Sequence, residues 1–140
     1  FDSLLLAEDE LAAHGYGPEL HLLATDTSVV VPVNKVVRLL TTGADVIHSW
    51  AMPAFGVKMD AVPGRLNETW FRAEREGLFY GQCSELCGVD HSNMPIEIHV
   101  VSQAKFDEWV KSKTAPAATA CATASPTSAS ACSPPPAPTS

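Results

Sequence analysis

Between residues 20 and 101 the apolar side chains of this chain come in short runs, each closed by a turn signal before a helix could bury a face. Val29-Val30-Val31-Pro32-Val33 and Val36-Val37-Arg38-Leu39-Leu40 are rich in β-branched residues and separated only by Asn34-Lys35, as successive strands are. Residues 20–24, 45–50, 68–73, 78–82 and 95–101 read as further strands, with Thr42-Gly43, Pro63-Gly64 and Glu76-Gly77 as turns between them. In the last run Ile96, Ile98 and Val100 alternate with Glu97 and His99, which predicts a half-buried strand with the two polar residues outward. So many short strands predict an all-β sandwich or barrel. Two helical pieces are expected beside it, a short one over residues 7–13 and one over residues 103–113. In the second, Ser102 is placed to cap and Phe106, Trp109 and Val110 share a face.

Charge divides the chain. All 9 basic and 16 acidic residues lie in residues 1–113, so the net charge of −7 belongs to that part. From Thr114 onward only Ala, Thr, Ser, Pro and Cys occur. Such a stretch has no large apolar side chains to offset the entropy of ordering it, and it reads as a disordered low-complexity tail over residues 114–140. Residues 1–19 read as an acidic leader and residues 20–113 as one domain. Residues 1–34 carry Asp2, Glu8, Asp9, Glu10, Glu19 and Asp26 without a Lys or Arg. That field repels nucleic acid and suits a cationic protein partner or plain solubility. No run of 18 apolar residues occurs, so no segment predicts a transmembrane helix. Phe1 follows no initiator Met, which reads as a processed product, a fragment or one piece of a split protein.

The chemistry is concentrated in Gly81-Gln82-Cys83-Ser84-Glu85-Leu86-Cys87-Gly88-Val89-Asp90-His91-Ser92-Asn93-Met94-Pro95. Two thiols, an imidazole and a thioether fall on one loop between two predicted strands. A Cys83–Cys87 disulfide leaves His91 and Met94 without a role. Zinc accepts Cys83, Cys87, His91 and His48 but has no use for Met94, and its structural loops usually bring a tighter Cys-x-x-Cys. Copper uses the whole set, because thiolate, thioether and imidazole are the ligands it prefers. A mononuclear blue-copper site needs one Cys, whereas two at this spacing can bridge a pair of ions. A lone strand histidine such as His48 is ordinarily a satisfied core residue. Here a copper pair needs a second imidazole, and His48 is better placed than His14, His21 or His99.

On these residues the chain resembles the soluble domain of cytochrome c oxidase subunit II. The segments 45–50, Asp60-Ala61-Val62-Pro63-Gly64-Arg65-Leu66-Asn67 and 80–95 are similar to that family's signature almost residue for residue, with alphaproteobacterial wording, and the likeness covers about residues 1–113. The resemblance implies a cupredoxin-like Greek-key β-barrel holding a dinuclear copper centre, CuA. It implies that Cys83 and Cys87 bridge the coppers, that His48 and Met94 complete one, and that His91 and the Glu85 backbone carbonyl complete the other. The Glu85 carboxylate would bind a magnesium shared with the catalytic subunit. Asp60 and Arg65 would face that subunit, and Asp26 and Asp45 would dock cytochrome c. The expected role is electron transfer from cytochrome c to the haem of the catalytic haem-copper subunit I, on the positive side of an inner membrane. No acid, base or nucleophile is expected here.

Three features depart from the family. Its two transmembrane helices and an aromatic-rich strand, with a Trp where electrons enter, precede the position of Phe1. A membrane-anchoring front half or companion chain is therefore expected as a further partner. Asn93 stands where an aromatic is usual. Cys121 and Cys132 have no counterpart and could pair with each other. Two other functions share parts of the pattern: nitrous oxide reductase, which has the same Cys/His/Met loop but adds a propeller domain, and a copper-delivery or zinc-stabilised binding module.

Overall fold

The computed structural model describes residues 2–114; the predicted tail, with Cys121 and Cys132, lies outside the described residues. Seven strands and one α-helix follow in order: β1 Val29–Pro32, β2 Val36–Thr41, β3 His48–Met52, β4 Val57–Ala61, β5 Asn67–Arg72, β6 Gly77–Gln82, β7 Pro95–Val101 and α1 Gln103–Thr114. The architecture is the cupredoxin-like all-β one. β7 lies between β1, which it pairs in parallel, and β6, which it pairs antiparallel. β2 pairs antiparallel with β5, and β3 with β4. Inward-facing residues of all three sheets meet in one core of Val31, Met52, Phe71, Ala73, Ile98 and Val100. Phe55 packs on Phe71 and Phe79 at ring-centroid distances of 4.8 and 4.9 Å, tying the sheets together. Gly81 sets the closest approach: a Cβ there would lie 2.0 Å from the Ala51 carbonyl oxygen, so β6 can press against β3 only without a side chain.

Most strand expectations correspond to strands here, shifted by a few residues at most, and α1 closely matches the predicted helix. The Ser102 hydroxyl accepts from the Lys105 amide at 3.5 Å, and Phe106, Trp109 and Val110 are the half-buried residues of α1. Four expectations are corrected. Residues 20–24 are not a strand: Leu22 has φ +66°, and the Leu23 and Ala24 amides both donate to Leu20 O at 3.0 Å, which is a turn. Residues 7–13 form no α-helix. A turn leads into a single 3₁₀ turn at Ala12–His14, stopped by Gly15 at φ +82°, since so short a segment gains too few hydrogen bonds to nucleate. β4 was not expected, although Val57, Met59 and Ala61 alternate with Lys58 and Asp60 after a Gly56 turn at φ +66°. Glu97 does not face water.

Glu97 is 2% exposed because the leader lies over that part of β7. Leu6, Leu11 and Ala24 form a small second core with Tyr16 and Leu20. From it the Tyr16 hydroxyl donates to Glu97 Oε1 at 2.9 Å, and the Thr25 amide donates to Oε2 at 3.1 Å. His99, two residues on, is exposed as expected.

Candidate metal centre

The loop from Cys83 to Met94 connects β6 to β7, and the sheet itself closes it. Gln82 is paired with Pro95 at the end of the ladder, and the next step is a hydrogen bond from the Cys83 amide to Met94 O at 3.0 Å. The two ends of the loop therefore start side by side. The Ser84 amide donates to Ser49 O at 3.0 Å, which stitches the loop to β3 beside His48. A residue 35 positions away in sequence is thus delivered to the cysteines by strand packing.

The sulfur and nitrogen atoms converge. Cys83 Sγ and Cys87 Sγ are 3.9 Å apart, as free thiols. Cys87 Sγ lies 3.5 Å from His91 Nδ1 and 3.5 Å from Met94 Sδ. The Cys83 thiol is 3.3 Å from the backbone oxygen of Glu85. Ligand atoms of His48, Cys83 and Cys87 all lie within 4.8 Å of one another. His48 Nδ1 is buried with no hydrogen-bond partner, which leaves it free to take a ligand. Soft sulfur donors with a free imidazole nitrogen fit copper well.

The electrostatics favour metal binding. Burial pushes the Cys83 thiol up, but backbone hydrogen bonds at Glu85 and Ser49 and the His91 and His48 rings outweigh it, and the thiol comes down to about 7. Burial and the neighbouring Cys83 sulfur push Cys87 up. One thiolate is therefore accessible near neutral pH while the second awaits a cation to displace its proton. His48 Nε2 is 2.8 Å from Asp45 Oδ1, and this hydrogen bond holds the imidazole above its ordinary range and the carboxylate below its own. A carboxylate on the far nitrogen fixes the ring orientation and leaves Nδ1 for a metal. Sequence reading placed Asp45 on a docking surface; its position three residues before His48 was the available signal for this contact.

The other candidate residues lie around this cluster. The Glu85 side chain is exposed, as are Arg65, Asp26 and Asp45. Asp60 is half-buried, with Lys58 Nζ 3.0 Å from its Oδ1. Asp26 Oδ1 accepts the Leu4 amide at 2.8 Å, which pins the start of the leader. His14, His21 and His99 are all exposed, and the three-residue donor cluster formed among the described residues contains none of them. Exposed Asn93 receives the Ser92 hydroxyl at 3.2 Å. An apolar cleft of about 570 Å³ borders His48, Cys83 and Met94, with Leu4 and Leu5 on one wall and Leu40 and Trp50 among the others.

Known proteins match both the sequence and the fold. The family model for the periplasmic domain of cytochrome c oxidase subunit II matches residues 1–101. Cytochrome c oxidase subunit 2 of Cereibacter sphaeroides is 62% identical over 104 residues, covering 74% of this chain and 34% of that protein. A probable cytochrome c oxidase subunit 2 of Rickettsia bellii is 51% identical over 113 residues, covering 81% of this chain and 40% of its own length. The chain thus spans between a third and two fifths of these curated relatives. Among solved structures, the periplasmic domain of subunit II of cytochrome oxidase from Bradyrhizobium japonicum is similar at 58% identity and a TM-score of 0.71, covering 80% of this chain and 75% of that one.

Proposed function

The chain belongs to the cytochrome c oxidase subunit II family through its periplasmic domain, and from that premise we propose that it takes single electrons from cytochrome c and passes them to the haem of a catalytic partner subunit. The carrying observation is the convergence of two thiol sulfurs, a thioether and an unpaired imidazole nitrogen at the end of a rigid barrel. Cys83 and Cys87 would bridge two coppers, His48 and Met94 would complete one, and His91 with the Glu85 carbonyl the other. When bound, such a pair supplies a one-electron couple whose charge is shared over two ions and two sulfurs. The chain holds the donors still. The Cys83–Met94 and Ser84–Ser49 hydrogen bonds tie the loop to the barrel, and Asp45 orients His48, so little of the cage has to move as charge changes.

The surroundings suit the partners of this role. Val46, Ile47, Leu66, Leu86 and Val89 are large exposed apolar residues on the metal loop and the turns before β3 and β5, and such side chains favour contact with another subunit. We place the catalytic haem-copper subunit there, with Asp60 and Arg65 at the contact and the Glu85 carboxylate on a shared magnesium. The acidic leader and Asp26 and Asp45 would receive cytochrome c. Among the described residues β2 pairs only with β5, and the apolar cleft runs beside it. A strand from a membrane-anchoring front half or companion chain would pair with that free edge. No described helix is long and apolar enough to cross a membrane, and the assembled domain would sit on the positive face of an energy-transducing inner membrane.

Copper loading tests the reading directly. Two coppers per chain are expected, with an electron-spin signal spread over both in the oxidised form. One copper per folded chain, or a colourless protein holding zinc in its place, would sink it.

A further inference from the structure

The buried carboxylate of Glu97 has no part in the electron-transfer role, yet it sits three residues from Met94 with both oxygens engaged. Its two donors, Tyr16 in the leader and Thr25 in the stretch between the leader and β1, both come from the segment ahead of β1, and the seven strands supply neither. Directly across the ladder on β6 stands Tyr80, whose buried hydroxyl has no partner of its own. A carboxylate is costly to bury unless its lone pairs are taken, so the leader and Glu97 require each other. From Thr25 the contact passes to the chain's start. Leu5 pairs with Thr25, the Leu6 amide donates to Ala24 O at 3.1 Å, and the Asp26 amide donates to Leu4 O at 3.0 Å. Leu4 and Leu5 then form one wall of the apolar cleft that borders His48, Cys83 and Met94.

We propose that Glu97 is a positioning residue for the metal centre, acting through the leader: it seats Tyr16 and Thr25 on β7 and thereby holds Leu4 and Leu5 as a water-excluding wall beside the centre. The idea rests on the copper reading for its second half only. Loss of the pin lets water reach the ligands, and a wetter, more polarisable surrounding favours the more highly charged oxidised state, so the reduction potential falls.

The test uses the full chain, with and without copper, carrying Glu97→Ala, Glu97→Gln or Tyr16→Phe. Hydrogen exchange at the Leu6, Ala24 and Asp26 amides should speed up about tenfold or more in Glu97→Ala, while that of the β6–β7 ladder holds. Glu97→Gln should recover most of the protection, because its carbonyl can accept from Thr25 and its amide can donate to the Tyr16 oxygen. Tyr16→Phe should fall between, and it keeps the test open if Glu97→Ala does not fold. In the copper-loaded protein the same series should lower the potential in the same order with the two-copper signal intact. Unchanged leader exchange in Glu97→Ala, or in Tyr16→Phe where only that variant folds, overturns the pin. A loosened leader with an unmoved potential overturns its action on the centre. Failure of the wild-type chain to bind a copper pair would refute the copper reading, and with it the action on the centre, while the exchange series still decides the pin.

Discussion

Two cysteines four residues apart in one loop do not share a chemistry here. Cys83 is buried beside two imidazoles and two backbone hydrogen bonds that favour its thiolate, whereas Cys87 is half-exposed, with the His91 ring beside it but with burial and the Cys83 sulfur raising its thiol. Against an ordinary thiol near ~8.5, the Cys83 thiolate should appear as pH rises through about 7, with Cys87 following at higher pH. Alkylation of the copper-free protein, mapped by mass spectrometry across a pH series, should label Cys83 first per accessible thiolate; equal pH midpoints for the two would contradict the electrostatic account. In the loaded protein, Cys83→Ser or Cys87→Ser should abolish the two-copper spin signal, since each removes a bridge. Met94→Leu should shift the potential and keep the pair, because the thioether is a weak ligand. Retention of the signal in both Ser variants would show that the sulfurs do not bridge.

At the scale of elements, the centre depends on how closely β6 approaches β3. Gly81 lies two residues before Cys83, and an added methyl would collide with the Ala51 backbone oxygen rather than with a side chain able to move aside. Gly81→Ala should therefore cost ~1–3 kcal/mol or more in urea unfolding, as overpacking does, and should weaken copper binding by displacing the start of the loop. Gly64, at φ +74° with open space where a Cβ would sit, lies in the turn before β5. Substitution there would strain the backbone without disturbing the β3–β6 contact, so Gly64→Ala should lower stability and leave the copper spectrum unchanged. A variant at Gly81 that unfolded and bound copper like the wild type would remove β3–β6 packing from the explanation of the site.

For the molecule as a whole, the charge is asymmetric: the leader carries acidic residues and no Lys or Arg, and its Glu8 and Asp9 are exposed. Asp26 and Asp45 each already hold a local hydrogen bond, so their removal would perturb structure as well as field. Glu8→Gln with Asp9→Asn is the cleaner probe. That double variant should slow association with a cationic cytochrome c and flatten its dependence on salt, with the copper spectrum unmoved. Exposed charges act mainly on encounter and are screened beyond ~8 Å at physiological ionic strength. Stopped-flow association at several salt concentrations measures this, and a rate indifferent to both salt and substitution would rule out steering by the leader.

The sequence by itself determined the parts governed by local pattern and by ligand chemistry. Short β-branched runs between turns specify strands, and Cys83, Cys87, His91 and Met94 within twelve residues specify one soft-donor loop. Only the tertiary structure decided what faces what. His48 reaches that loop because β3 lies against β6, a contact between residues far apart in the chain. Asp45 turned out to hold the His48 ring, and Glu97, outward by its alternation, became buried because the leader folds over β7. Alternation reports which side of a strand a residue is on, and burial on that side depends on whether another segment covers it. That is settled by contacts across the whole chain, which no local period records.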